Sequence, residues 1–240
     1  MPDIELYSHI GMFFDFSVSE LNYSCKNSKT ITKMKKLHLI LTAVVMIVFM
    51  QFGKAQISGS AHDFSTQSWN TTTEICIVCH TPHNANTTVL NAPLWNHALS
   101  TVATYAMYSS ATMNSVAGQP DGSSKLCLSC HDGTVALENF GGVTSGTNLM
   151  TGGALMGTDL SNDHPISITY DAALAAADGG LYNPTNTQSG LGGTISATML
   201  IGDKMQCSSC HDVHNSAGTA NGLLLKANTA SALCLTCHDK

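Results

Sequence analysis

Cys76-Ile-Val-Cys79-His80, Cys127-Leu-Ser-Cys130-His131, Cys207-Ser-Ser-Cys210-His211 and Cys234-Leu-Thr-Cys237-His238 repeat one pattern, C-x-x-C-H, and that pattern decides the fold. The two-residue gap lets both thiols add to the vinyl groups of a single haem. The histidine that follows then binds the iron from one side. C-x-x-C alone also serves zinc sites and thiol redox pairs. Four copies, each ending in histidine, point instead to four covalently attached c-type haems. The thioether residues are then Cys76, Cys79, Cys127, Cys130, Cys207, Cys210, Cys234 and Cys237, and the proximal iron ligands are His80, His131, His211 and His238.

Eight of the nine cysteines are used in this way; the ninth, Cys25, lies far upstream. Between it and the first motif, Met34-Lys35-Lys36 opens an apolar run from Leu37 to Phe52, followed by Gly53 and Ala55. A basic start, an apolar stretch and small residues form the pattern of a secretion signal. The run would span about 24 Å as a helix, short of the roughly 30 Å hydrocarbon core, so no membrane anchor is expected. The reading is a non-native upstream extension at 1–33, a signal peptide at 34–55 with cleavage after Ala55, and a tetrahaem domain at 56–240. Export through the Sec pathway would deliver it to the cell surface or extracellular space, otherwise to the periplasm.

From residue 56 onward, four lysines face twelve acids, a net −8, and the chain has no arginine. Nothing basic is clustered, which excludes nucleic acid as a partner. Large apolar side chains are sparse among Gly, Ser, Thr, Asn and Ala, too few for a thick protein core. The expected fold is therefore coil-rich, mainly short α-helices wrapped around a stack of four covalently bound haems.

An internal repeat organises the chain. Cys76–Asn84 matches Cys207–Asn215, and Leu126–Asp132 matches Leu233–Asp239, an A-B-A-B order that suggests two dihaem units at about 56–140 and 160–240. Ser123 and Thr229 are placed to cap short helices carrying the B motifs, and Tyr170–Gly179 reads as a two-turn helix stopped by glycine. Residues 139–160 and 179–197, rich in Gly, Thr and Asn, read as ordered loop.

Five histidines remain as distal iron ligands: His62, His83, His97, His164 and His214. They suffice to close every iron with imidazole, so methionines such as Met107 and Met205 read as packing. His83 and His214 each follow a motif histidine by three residues. Neither easily reaches the far face of its own haem, so each should serve a neighbour. The shorter second unit favours His214 on the Cys234/Cys237 haem, and repeat symmetry puts His83 on the Cys127/Cys130 haem. With every motif complete, an electron carrier is expected rather than an enzyme. A multihaem reductase would call for an open iron position.

Ser60-Ala-His-Asp63, Cys79-His80-Thr-Pro-His83, Pro93-Leu-Trp-Asn-His97, Leu126–Gly133, Asn162-Asp-His-Pro165 and Leu233–His238 together resemble the tetrahaem extracellular cytochromes of metal-reducing bacteria, the filament-forming (OmcE-like) nanowire family. The resemblance covers essentially the whole of 56–240. It implies bis-histidine haems, self-association into a filament, and one histidine crossing to a haem of the next subunit. His83 occupies the matching place, and His62 is a second candidate. Redox partner proteins or extracellular metal and other electron acceptors would be the partners. A soluble periplasmic tetrahaem shuttle is the alternative. A chain that completes one haem in trans should leave one motif histidine without an intramolecular partner and one free histidine facing solvent.

Overall fold

The computed structural model describes residues 35–36, 38–42, 56–219 and 222–240. Two units divide the chain at Phe52/Gly53. In the first, residues 35–36 and 38–42 are helical, and Thr42 Oγ1 donates to His38 O at 2.8 Å. The upstream extension, Cys25, most of the expected signal segment and its cleavage point lie outside the described residues. Among the described residues no helix is long and apolar enough to cross a membrane.

The second unit, Gly53–Lys240, carries all four motifs. Its described helices are α1 (Gly122–His131), α2 (Ala172–Asp178), α3 (Ile195–Met199) and α4 (Cys234–Cys237), joined by three-residue 3-10 turns at 152–154, 207–209 and 229–231. Strands β1 (Ala106–Met107) and β2 (Asp159–Leu160) pair in parallel, while β3 (Ile168–Thr169) and β4 (Lys204–Met205) pair antiparallel. Everything else described is turn and coil, held by local turns and by long-range backbone bonds such as the bridges of His97 with Phe140 and Leu181 with His238, the coil-rich class that the composition suggests.

Helix α2 is explained by its ends. The Asp171 side chain accepts from Leu174 N, and Gly179 closes the helix in the left-handed region at φ 68°, where a side chain would be strained. Helix α1 departs from expectation. Its N-cap is Asp121, not Ser123, and that carboxylate makes no cap bond because Lys204 Nζ and Gln206 Nε2 claim it. Thr229 starts a 3-10 turn whose N-cap is Asn228, and α4 is preceded by Leu233 without a side-chain cap, although the Asn228 Oδ1 accepts from Leu233 N at 3.0 Å. The loop expected at 139–160 ends in β2, and α3 begins inside the one expected at 179–197. The Thr194 side chain caps α3 by accepting from Ala197 N, a polar signal hidden in a threonine-rich stretch.

The apolar core is broken into patches. One, around Ile168, Tyr170, Leu174, Ile195, Met199 and Leu233, encloses Cys237. Val89, Trp95 and Leu126 gather against Cys79, and Tyr105, Leu128 and Leu160 form a third. Each patch includes or borders a motif residue: Cys237 in the first, Cys79 beside the second and Leu128 in the third.

Candidate haem sites

Each motif turns back on itself through its own backbone. His80 N donates to Cys76 O, His211 N to Cys207 O and His238 N to Cys234 O, at 2.9–3.0 Å. Motif two reaches the same compactness within α1. This brings both thiols and the imidazole of each motif to one side of the chain.

A second constraint fixes the rings. Nδ1 lies 2.7 Å from Pro93 O in His80, 2.7 Å from Ala154 O in His131 and 2.6 Å from Gly222 O in His211. A carbonyl only accepts, so Nδ1 carries the proton and Nε2 keeps its lone pair. That is the tautomer of a metal-ligating histidine. His164 does the same toward Pro165 O at 3.0 Å.

Three motif histidines face a second imidazole. His80 and His214 have ring centroids 6.0 Å apart, His62 and His131 are 6.1 Å apart, and His164 and His238 are 6.3 Å apart. An iron held about 2 Å from a nitrogen of each ring would separate two imidazole centroids by roughly 6 Å. The residues present thus fit haem on the chemistry of their donors and on their spacing. Burial and the neighbouring imidazoles of His131, His211 and His214 push His62 down to about 4, leaving it neutral and able to donate its lone pair.

The remaining histidines behave differently. His211 has no imidazole in ring-contact range among the described residues. The His83 side chain is exposed, with Thr81 Oγ1 bonded to its backbone carbonyl at 2.8 Å. His97 is 2 % exposed. Its Nδ1 lies 2.8 Å from Ala98 O and its Nε2 3.1 Å from Ala136 O, and neither nitrogen is turned to a motif histidine. The sequence preference for His214 on the Cys234/Cys237 haem is not what the structure has. His214 stands opposite His80, and His164 takes the place across from His238. Loop length misled here, because the return of Gln56 N to His214 O at 2.8 Å shows that the two halves interleave.

The thiols follow one another in chain order. Cys79 lies near Cys130, Cys127 near Cys207, and Cys210 near Cys234 and Cys237. The central junction is built of polar side chains. Cys207 N donates to Ser124 Oγ at 3.0 Å, Ser124 Oγ bonds Gln206 Oε1, and the Ser123 and Ser208 hydroxyls meet at 2.6 Å. All eight described cysteines are free of disulfides. Among the described residues no three or more His, Cys, Asp or Glu side chains converge as a site for a bare ion.

Sequence alone missed how far the A repeat extends. After His80, Pro93 O takes the Nδ1 proton, Leu94 is left-handed (φ 52°), Thr81 N donates to Leu94 O and Asn96 N to Cys79 O. After His211, Gly222 O takes it, Leu223 is left-handed (φ 50°), Asp212 N donates to Leu223 O and Leu225 N to Cys210 O. Pro93–Asn96 and Gly222–Leu225 share a single residue at equivalent positions, the left-handed leucine (Leu94 and Leu223), too little for the sequence to show the match that the backbone geometry makes plain.

A family model described as the doubled CXXCH motif matches residues 201–240, which hold the third and fourth motifs. A search of the curated proteins finds no match to the chain. The doubled motif supports a multihaem c-type cytochrome, with covalently attached haem and a role in electron transfer. The small, coil-rich fold with short helices agrees with that class.

Proposed function

We propose that this chain is a tetrahaem bis-histidine electron conductor that polymerises outside the cell. Haem supplies a one-electron iron couple when bound. The polypeptide's part is to set order and spacing. Its attachment thiols neighbour one another in the sequence 1-2-3-4, and three imidazole pairs stand at the separation an iron requires. His62, His164 and His214 are the distal ligands of the haems on Cys127/Cys130, Cys234/Cys237 and Cys76/Cys79.

The observation that carries the assembly is the relation between the two A repeats. His214, from the second repeat, reaches the first repeat's His80 within one chain. His83 stands in the corresponding place of the first repeat, followed by Asn84 in the same left-handed conformation as Asn215. The same step taken once more leads from His83 to the His211 haem of a neighbouring subunit. Repeated head to tail, this is a heterologous contact that propagates as a filament. Secretion through the Sec pathway and extracellular acceptors belong to the same proposal. Electron microscopy of the natively purified protein, with a covalent haem count, tests it. Four haems per chain and filaments support it; discrete monomers with four low-spin haems would favour the soluble shuttle.

A further inference from the structure

Trp95 is 9 % exposed, and its indole N–H is buried with no hydrogen-bond partner among the described residues. A buried donor left unpaired is costly and calls for an acceptor. The surroundings suggest one. Trp95 packs in the patch that includes Cys79 and forms a bridge with His80, so it borders the haem that Cys76, Cys79 and His80 would hold. Each haem carries propionate carboxylates, which proteins often meet with arginine. This chain has none. Lys204 is committed to Asp121, and Lys226 to Ser189 O and Thr236 Oγ1.

The fold does not require an indole here. The equivalent position after His211 is Leu224, which makes the same bridge in the same backbone geometry without any N–H. Leucine therefore suffices to hold the hairpin, and the tryptophan adds a donor. The left-handed Leu94 just before it holds a backbone conformation that non-glycine residues rarely adopt.

Resting on the cytochrome reading above, we infer that the Trp95 indole N–H anchors a propionate of the haem on Cys76/Cys79, replacing the missing arginine with a neutral donor. The inference is tested on the haem-loaded protein. Ultraviolet resonance Raman should show a hydrogen-bonded indole. Trp95→Phe and Trp95→Leu keep the apolar packing and remove the donor. Each should lower the midpoint potential of one haem and raise its redox-linked propionate pKa by about one unit, a tenfold change in proton affinity. A free indole in the native protein overturns the inference, as do haem-loaded variants whose potentials and linked pKa values are all unchanged. If neither variant takes up haem, the Raman band of the native protein decides. A native chain with no covalent haem would overturn the proposed function itself.

Discussion

His80 and His214, from opposite halves of the chain, face each other with ring centroids 6.0 Å apart and planes only 13° from parallel. The pair joins the two repeats across what sequence reads as a unit boundary. His214→Ala should convert the Cys76/Cys79 haem to high spin and leave the remaining haems low-spin. His214→Met should keep it low-spin at a raised potential. Absorption and EPR spectra check both. A change confined to the Cys234/Cys237 haem would restore the assignment that loop length suggests.

The three facing pairs differ in twist. The planes are 13° apart in His80/His214, 53° in His62/His131 and 78° in His164/His238. Parallel imidazole planes donate into one iron d orbital and split it from its partner, whereas perpendicular planes leave the two nearly degenerate. The ferric protein should therefore show both a well-resolved rhombic low-spin EPR signal and a low-spin signal with one very large g value. A spectrum of a single rhombic type would contradict the ring orientations.

The four C-x-x-C-H motifs are legible in the sequence because covalent haem chemistry demands a contiguous pentapeptide. The histidines that face them are legible only as a pool. Nothing in the spacing of His164 or His214 says which ring it will face, since the approach is made by coil whose path is set by long-range backbone bonds such as Gln56 N to His214 O. His97 shows how little the pool says of surroundings: its nitrogens lie against the carbonyls of Ala98 and Ala136, with Nε2 3.6 Å from Cys130 Sγ. The cap at Asp121 was missed because its carboxylate is drawn away by Lys204 and Gln206, residues distant in sequence.

The proposed filament would hinge on His83. His83→Ala should leave each protomer folded, since the side chain is exposed. Filaments should be replaced by single subunits, with the Cys207/Cys210 haem changing spin state while the others keep theirs. Electron microscopy and EPR on one preparation read both effects. Filaments of normal length from the variant would rule out His83 as the crossing residue.

Tyr105 supports the second motif from behind. Its hydroxyl donates to Asp132 Oδ2 at 2.6 Å and lies 3.0 Å from Ser100 Oγ. Burial, then the bond to Asp132, pushes the phenol up to about 12. The folded state thus holds this proton to higher pH than the unfolded chain does, so the contribution is intact below about pH 10 and is lost as pH rises toward 12. Burial pushes Tyr170 up as well, so it shares this alkaline limb. Tyr105→Phe should cost about 1.5–3 kcal/mol at neutral pH, the range for a hydrogen bond to a charged group, and should flatten the limb. Thermal melts from pH 8 to 12 measure this. An alkaline slope unchanged in the variant would remove Tyr105 as its source.

Gln206 holds the junction between the second and third motifs. It is 3 % exposed. Its Oε1 accepts from Ser124 and from Ser167 (3.3 Å), and its Nε2 donates to Asp121 Oδ1 at 2.6 Å. Gln206→Leu keeps the volume but strands these partners in a buried setting, so it should cost about 2–3 kcal/mol. Ser124→Ala removes the acceptor for Cys207 N as well as the donor to Gln206, and should cost about 1–2 kcal/mol. Because the two side chains share one network, the double variant should lose less than the summed single losses. The same network sets the approach of Cys127 to Cys207, so a loosened junction should also weaken the magnetic coupling between the haems they carry. Denaturation of the haem-loaded variants gives the energies, and EPR gives the coupling. Strict additivity, or full stability in Gln206→Leu, would show that packing of α1 against the 207–209 turn holds the junction without its polar bonds.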